Sequence, residues 1–158
     1  MNGDAAGFSG RDHDQLLELL ASLERDRARI DAQQQRVLAQ LAAEPVPIPS
    51  LGEAIEKEWV REEIACVLRL APCTAGSRLH DAVELVERLP GTLAALACGD
   101  ITLLHARSLV EAIDGLDDAT TAKVEQRVLA TAAPGQTVGT FRQALKRAVL
   151  ALDPRQAE

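Results

Sequence analysis

Residues 11–43 read RDHDQLLELLASLERDRARIDAQQQRVLAQLAA, and this stretch decides the fold class. Large apolar residues recur along it at alternating spacings of four and three, which is the repeat of an amphipathic helix with one apolar stripe. Only Arg27 and Gln34 interrupt the stripe, which lasts about four heptads. We call six of its residues the apolar seam: Leu16, Leu20, Leu23, Ile30, Val37 and Leu41. The pattern predicts a long, coiled-coil-like helix.

The apolar seam requires a partner, because an isolated amphipathic helix gains little stability in water. The sequence leaves three partners open: the rest of the chain's own domain, a second copy of the chain, or another protein. Polar residues at seam positions favour a specified partner over a random one, since they restrict register and pairing.

A proline-rich linker follows the first helix at residues 44–52, where Pro45, Pro47 and Pro49 alternate with other residues. Prolines at this spacing remove backbone donors and favour an extended, stiff chain. Ser50 and Glu53 then have the spacing of a capping box, which predicts the start of a second helix. We therefore expect a disordered N-terminus (1–10), a long helix (11–43), a linker (44–52), a helical domain (53–154) and a short tail (155–158).

Prolines, glycines and capping residues divide residues 53–154 into about six short helices. Gly99 suits a left-handed helix end, and Asp100 or Thr102 suits the next helix start, as do Asp117 and Thr137. The expected apolar faces are Val60, Ile64, Val67 and Leu68; Leu79, Val83, Val86 and Leu89; Leu103, Ala106, Val110 and Ile113; Val124, Val128 and Ala132; and Val138, Phe141, Leu145, Val149 and Leu152.

The composition agrees with an all-α fold: a long N-terminal helix, a linker and a compact helical bundle. Aromatic residues make up only 2% of the 158 residues, so aliphatic side chains and alanine must form the core. The net charge of −7 argues against a broad phosphate-binding surface. No apolar run approaches the roughly eighteen residues of a membrane span. Three cysteines without paired spacing are typical of the reducing cytoplasm, where we expect the protein.

Residue types that could bind a metal or act in catalysis are present, but their spacing does not suit either role. The spacings of Cys66, Cys73, His80 and His105 match no familiar zinc pattern, and we expect the cysteines to be small buried apolar residues. Ser77, His80 and Asp81 lie too close together on one helix to align as a catalytic triad. We predict no catalytic residue, no metal site and no cofactor, and therefore not an enzyme.

Duplex DNA is the alternative partner. Residues 92–98, the Gly99–Asp100 turn and residues 102–114 could form a helix-turn-helix, although the second helix offers few base or phosphate contacts and ends in acidic residues. The last predicted helix has a basic face. The candidate DNA contacts are Arg107, Arg142, Lys146 and Arg147.

Several short sequence motifs between about Glu56 and Pro154 occur in the order found in one protein family. They are Trp59; Arg78–Leu79 with Ala82; Leu89–Pro90–Gly91–Thr92; Gly99–Asp100–Ile101–Thr102 followed by His105–Ala106–Arg107; and Leu152–Asp153–Pro154. In these motifs the chain resembles the actinobacterial domain of unknown function 222, also called the thirteen-E-twelve repeat family.

The resemblance implies a helical domain, present in many genomic copies and sometimes near prophage insertions, that often precedes an HNH nuclease domain. This sequence resembles the N-terminal portion of such proteins, since its only asparagine is Asn2 and it lacks the hairpin of an HNH centre. The family has no agreed catalytic residues here, so none is carried over. Gly99, His105 and Arg107 are the positions to test first.

The sequence-based hypothesis is a non-catalytic helical interaction module that forms a homodimer or binds a protein partner through the first helix. In longer relatives it would position a nuclease domain on DNA. The two alternatives are a duplex-DNA-binding module and a truncated remnant of a mobile element without activity.

Overall fold

The structure, a computed structural model, describes residues 12–44, 53–131 and 135–152. Within these residues it contains seven α-helices and no strand, which confirms the predicted all-α fold. The proline linker, Ser50, Ala132 and Asp153–Pro154 lie outside the described residues. The helices are α1 (His13–Ala43), α2 (Glu53–Leu68), α3 (Pro72–Glu87), α4 (Pro90–Cys98), α5 (Leu103–Ala112), α6 (Asp118–Thr131) and α7 (Val138–Leu152).

None of the helices in the described part of the chain is both long enough and apolar enough to cross a membrane.

Capping side chains begin the helices at the predicted residues. Asp117 accepts the backbone N–H of Thr120 at 2.9 Å, before α6. The hydroxyl of Thr120 also donates to Asp117, at 2.9 Å. Both hydrogen bonds hold the pKa of the Asp117 carboxyl below its usual value. The hydroxyl of Thr137 lies 3.3 Å from the backbone nitrogen of Thr140 and caps α7. Polar side chains thus satisfy N–H groups that a helix start leaves unpaired.

Proline opens two of the helices. Pro72 and Pro90 lie in the first turns of α3 and α4, where the missing N–H has no helical partner to lose. The second helix ends at Leu68, because the next residue, Arg69, has a φ of 54° and leaves helical geometry. Gly99 has a φ of 83° and ends α4, as predicted.

One large apolar cluster joins α1 to α3, α4, α5, α6 and α7. Leucines from α3 and α4 meet the aliphatic face of α5 and the Phe141 face of α7. A smaller cluster lies between α1, α2 and α3, and its buried members are Leu38, Ile64, Ala65, Ala75 and Ala82. The first helix contributes to both clusters, so it is packed against the bundle.

Two predicted core positions are wrong. Val67 is 80% exposed and Val86 is 37% exposed, although both were expected to be buried. In α3 the buried face contains Ala75, Ala82 and Leu85, because small alanines let α3 lie close to its neighbours. Apolar periodicity finds a stripe, but the size of the neighbouring side chains decides which part of the stripe is covered.

The first helix docks on the bundle through a narrow face that includes two alanines. Its buried residues are Ala28, Ala32, Gln35 and Leu38. A Cβ atom added at Gly99 would lie 3.0 Å from Cβ and Cγ of Arg25, so the end of α4 touches α1 directly. This close approach requires both alanine on α1 and glycine on α4.

We expect Gly99→Ala to lower the free energy of unfolding by more than Gly135→Ala. Both glycines have positive φ, 83° and 82°, where alanine costs roughly 1–2 kcal/mol. Only Gly99 would also clash with α1, since nothing lies within 4 Å of a Cβ at Gly135. Chemical denaturation of both variants measures the difference. Equal losses would contradict the close contact between α1 and α4.

Candidate interaction surface

The six residues of the apolar seam lie on the surface of the structure. Their side chains are exposed to extents between 39% at Leu41 and 65% at Ile30. Leu17, beside the seam, is also 52% exposed. The first helix therefore carries a row of large apolar side chains, interrupted at Arg27 and Gln34, that the described part of its own chain leaves substantially exposed.

Among the described residues, the seam is not the face by which α1 docks on the bundle, which was one of the partners left open by the sequence. That docking uses the adjacent face around Ala28 and Ala32. The buried residues and the seam thus lie on two different faces of one helix. The other two partners, a second copy and another protein, remain for the seam.

Next to the C-terminal half of the seam lies an apolar groove between α1 and α2. Its volume is about 870 Å³. Eight large apolar residues line it, and we use "the groove" for the space between them: Val37, Leu38, Leu41, Trp59, Val60, Ile64, Val67 and Leu68. Glu44, Glu62 and Glu63 also line it. Val37 and Leu41 belong to both features, so seam and groove form one continuous apolar surface.

The sequence did not predict this groove. Trp59 was noted only as a family residue, yet it is 46% exposed and lines the groove. The available signal was the abundance of acidic and apolar residues in α2 without a clear two-sided pattern. Such a helix covers its neighbour incompletely, because its apolar residues do not all point in one direction.

Asp31 lies on α1 between the seam and the docking face and is partly buried. Burial raises the pKa of its carboxyl, while the charges of Arg27 and Arg78 act in the opposite direction. Burial is the larger effect, so the pKa stays above its usual value.

His105, one of the family residues, holds helix ends together. Its Nδ1 lies 2.8 Å from the Thr102 hydroxyl in a capping box, and its Nε2 lies 2.9 Å from the carbonyl oxygen of Gln136. The ring also packs edge-on against Phe141. His105 is buried, so these contacts explain it as a residue that joins α5 to the start of α7.

Two of the four candidate DNA contacts are paired with side chains of neighbouring helices. Arg107 pairs with Asp81 at 2.9 Å, and Arg142 donates to the Ser108 hydroxyl at 2.9 Å. Arg142 also lies 3.8 Å from Glu111, whereas Lys146 and Arg147 are exposed on α7. In the predicted helix-turn-helix, α5 would be the helix that enters the DNA major groove. Most of its side chains are buried or half-buried, so little of its surface is available for contact with DNA.

The residues with catalytic potential are not brought together. Ser77 donates to the carbonyl of Cys73, Asp81 is occupied by Arg107, and His80 is exposed. All three cysteines are exposed, so the expectation that they are buried is wrong. Across the described residues, no three His, Cys, Asp or Glu side chains are grouped to hold a metal ion.

The main buried charge stabilises a helix start. Glu125 accepts hydrogen bonds from the backbone N–H and the hydroxyl of Thr92, at 2.7 and 2.8 Å. It lies at the N-terminus of α4, where the helix dipole favours a negative charge. Arg88 similarly joins α3 to α6 by contacts with Asp118 and Thr121. These contacts are structural.

A family model described as a domain of unknown function (DUF222) matches residues 17–157. No curated protein and no solved structure matches the chain.

We expect His105→Ala to lower the free energy of unfolding by about 1–3 kcal/mol, because it leaves buried polar groups without their partner. His80→Ala is the matched control, since His80 is exposed and its loss should change stability by less than about 0.5 kcal/mol. Thermal and chemical denaturation provide the measurement. A His105 variant of unchanged stability would point to a role outside folding.

Proposed function

The chain belongs to the DUF222 family, and from this premise we propose that it is a non-catalytic helical interaction module that self-associates through the apolar seam of α1. The observation that carries the proposal is the exposure of all six seam residues on one helix. A row of this length is unusual on a monomer, where exposed apolar side chains are mostly scattered.

Association through the seam is energetically reasonable. Full burial of a leucine, isoleucine or valine side chain contributes about 1.5–3 kcal/mol, and two copies would together bury a dozen half-exposed side chains. Joining two chains costs roughly 4–15 kcal/mol in lost freedom of motion. The gain is of the size needed to offset that cost, so a reversible dimer is expected.

Non-catalytic action is supported by how the reactive residue types are used. Glu125, His105 and Asp81 are engaged in helix starts and ion pairs between helices. The resemblance to proteins with a following HNH domain suggests a setting for such a module. A self-associating front domain would position the nuclease domains of longer relatives relative to each other on DNA. We also propose that it acts in the cytoplasm.

Duplex-DNA binding by Arg107, Arg142, Lys146 and Arg147 stays a prediction. No feature of the structure favours it over self-association, because the first two arginines are paired with neighbouring side chains. Absence of binding at low salt would remove it, since phosphate contacts strengthen as salt falls.

Point variants test the seam better than deletion of residues 1–44. Deletion would also remove Ala28, Ala32 and Leu38 from the two core clusters, so it would destabilise the fold whatever the seam does. A charge on an exposed seam leucine leaves those contacts in place.

We expect the wild-type chain to reach dimer mass in light scattering as its concentration rises, and the double variant Leu20→Glu/Leu23→Glu to remain monomeric. Two buried carboxylates per helix would oppose pairing, because an unpaired buried charge is costly. Arg36→Glu is the control, since it lowers the net charge by the same amount as the double variant, at an exposed position of α1 outside the seam.

Unchanged thermal stability of the double variant at low concentration would show that it still folds. A wild-type chain that stays monomeric at every concentration would overturn the proposed function.

A further inference from the structure

We propose that the groove between α1 and α2 binds an amphipathic helix of a different protein, one that carries lysine or arginine beside its apolar face. Residues of α1 and α2, together with Glu44, form the groove within one chain. The site is therefore complete in a monomer. This inference goes beyond the proposed self-association and does not depend on it.

The groove has the length of a short helical segment. Its lining residues extend along α1 from Gln34 to Glu44, which corresponds to about 15 Å at the rise of an α-helix. Along α2 they extend from Trp59 to Leu68, or about 14 Å. A third helix can lie in the space between two such walls, and an apolar groove is a recurring site for an amphipathic helix.

Exposed and buried apolar side chains meet in the groove. Leu38 and Ile64 are buried and belong to the cluster between α1, α2 and α3. Trp59 and Val67 line the same space but are 46% and 80% exposed. A helix that covers Trp59 and Val67 removes large apolar surface from water, which favours binding.

The charge of the groove selects a basic occupant. Among the described residues, the charged side chains that line it are all acidic: Glu44, Glu62 and Glu63. Helix α2 as a whole has five acidic and two basic residues, a net charge of −3. Complementary charge therefore favours a helix with lysine or arginine and disfavours an acidic one.

A second copy of this chain lacks the helix that the groove requires. Of the seven helices described, only α7 has a net positive charge, which comes from its three basic residues. Its apolar face packs inside its own bundle, where Phe141, Leu145 and Val149 are buried. The first turns of α1 expose leucines but carry Asp14 and Glu18, so they are acidic like the groove. We therefore assign the occupant to a different protein.

A synthetic peptide tests the occupant directly. The probe is a helix of about 14 residues, roughly 21 Å long, with leucines along one face and lysines at the other positions. Its counterpart has glutamate in place of every lysine. Neither peptide contains tryptophan, so the fluorescence comes from Trp59, the only tryptophan in the chain.

We expect the lysine peptide to shift the Trp59 emission to shorter wavelength at physiological salt. We also expect it to bind about tenfold or more tightly than the glutamate peptide, because only the lysine peptide complements the carboxylates of the groove. Equal affinity of the two peptides, or a lysine peptide that leaves the Trp59 emission unchanged, would overturn the proposal.

Two matched variants of α2 locate the bound peptide. Val67→Lys and Ile55→Lys each add one positive charge at an exposed aliphatic position, but only Val67 lines the groove. We expect Val67→Lys to weaken binding of the lysine peptide by about tenfold or more and Ile55→Lys by about twofold or less. Thermal denaturation checks that both variants fold. Equal effects on affinity would place the peptide elsewhere and contradict the proposal.

The contribution of the carboxylates is measured with a second matched pair. Glu62→Gln/Glu63→Gln removes two negative charges from the groove, whereas Glu87→Gln/Asp114→Asn removes two from exposed positions outside it. We expect the first double variant to weaken binding by about fivefold or more and the second by much less, since salt screens distant exposed charges. Equal losses would show that only the net charge of the chain attracts the peptide, and the proposal would fail.

A peptide of residues 12–44 of this chain tests a second copy as the occupant. If it binds more tightly than the lysine peptide and depends in the same way on Val67, the groove belongs to a second copy and the proposal is wrong. The variant Leu20→Glu/Leu23→Glu keeps every lining residue of the groove, so it should also bind the lysine peptide. Peptide binding therefore succeeds or fails independently of self-association.

Discussion

The close approach between α1 and the bundle is the constraint on which the rest of the structure depends. Ala28 and Ala32 are buried against α3 and α4, and Gly99 leaves room for the backbone and side chain of Arg25. Larger residues would hold the helix away from the core. Because this contact selects the small face of α1, the large apolar residues of the seam are directed away from the bundle.

Buried polar groups then hold the short helices in one arrangement. Glu125 caps the start of α4 from α6, and His105 connects α5 to the residue before α7. Each group is hydrogen-bonded, which limits the cost of burying it. The contacts join elements about thirty residues apart in sequence, so they fix tertiary geometry as well as local helix ends. The motif with Gly99, His105 and Arg107 is therefore explained by packing.

The same packing produces the surface that the proposed function uses. Docking α1 by its narrow face leaves the seam free, and α2 covers only one side of the C-terminal half of α1. The result is a seam continuous with a groove that contains Trp59. Most of the large exposed apolar residues of the described chain thus lie along the seam and the groove, where a second helix could cover them.

Several features follow from the sequence alone, because their causes are local. The seam period determines a long first helix, capping residues such as Asp117 and Thr137 determine helix starts, and Gly99 determines the end of α4. Burial depends instead on which other helices pack against a side chain. Only the tertiary structure shows that α1 docks through alanines, that Val67 and the cysteines are exposed, and that α1 and α2 form a groove. The physical reason is that periodicity shows which side chains form the apolar face of a helix, whereas the shape of the packed neighbours decides which of those side chains are buried.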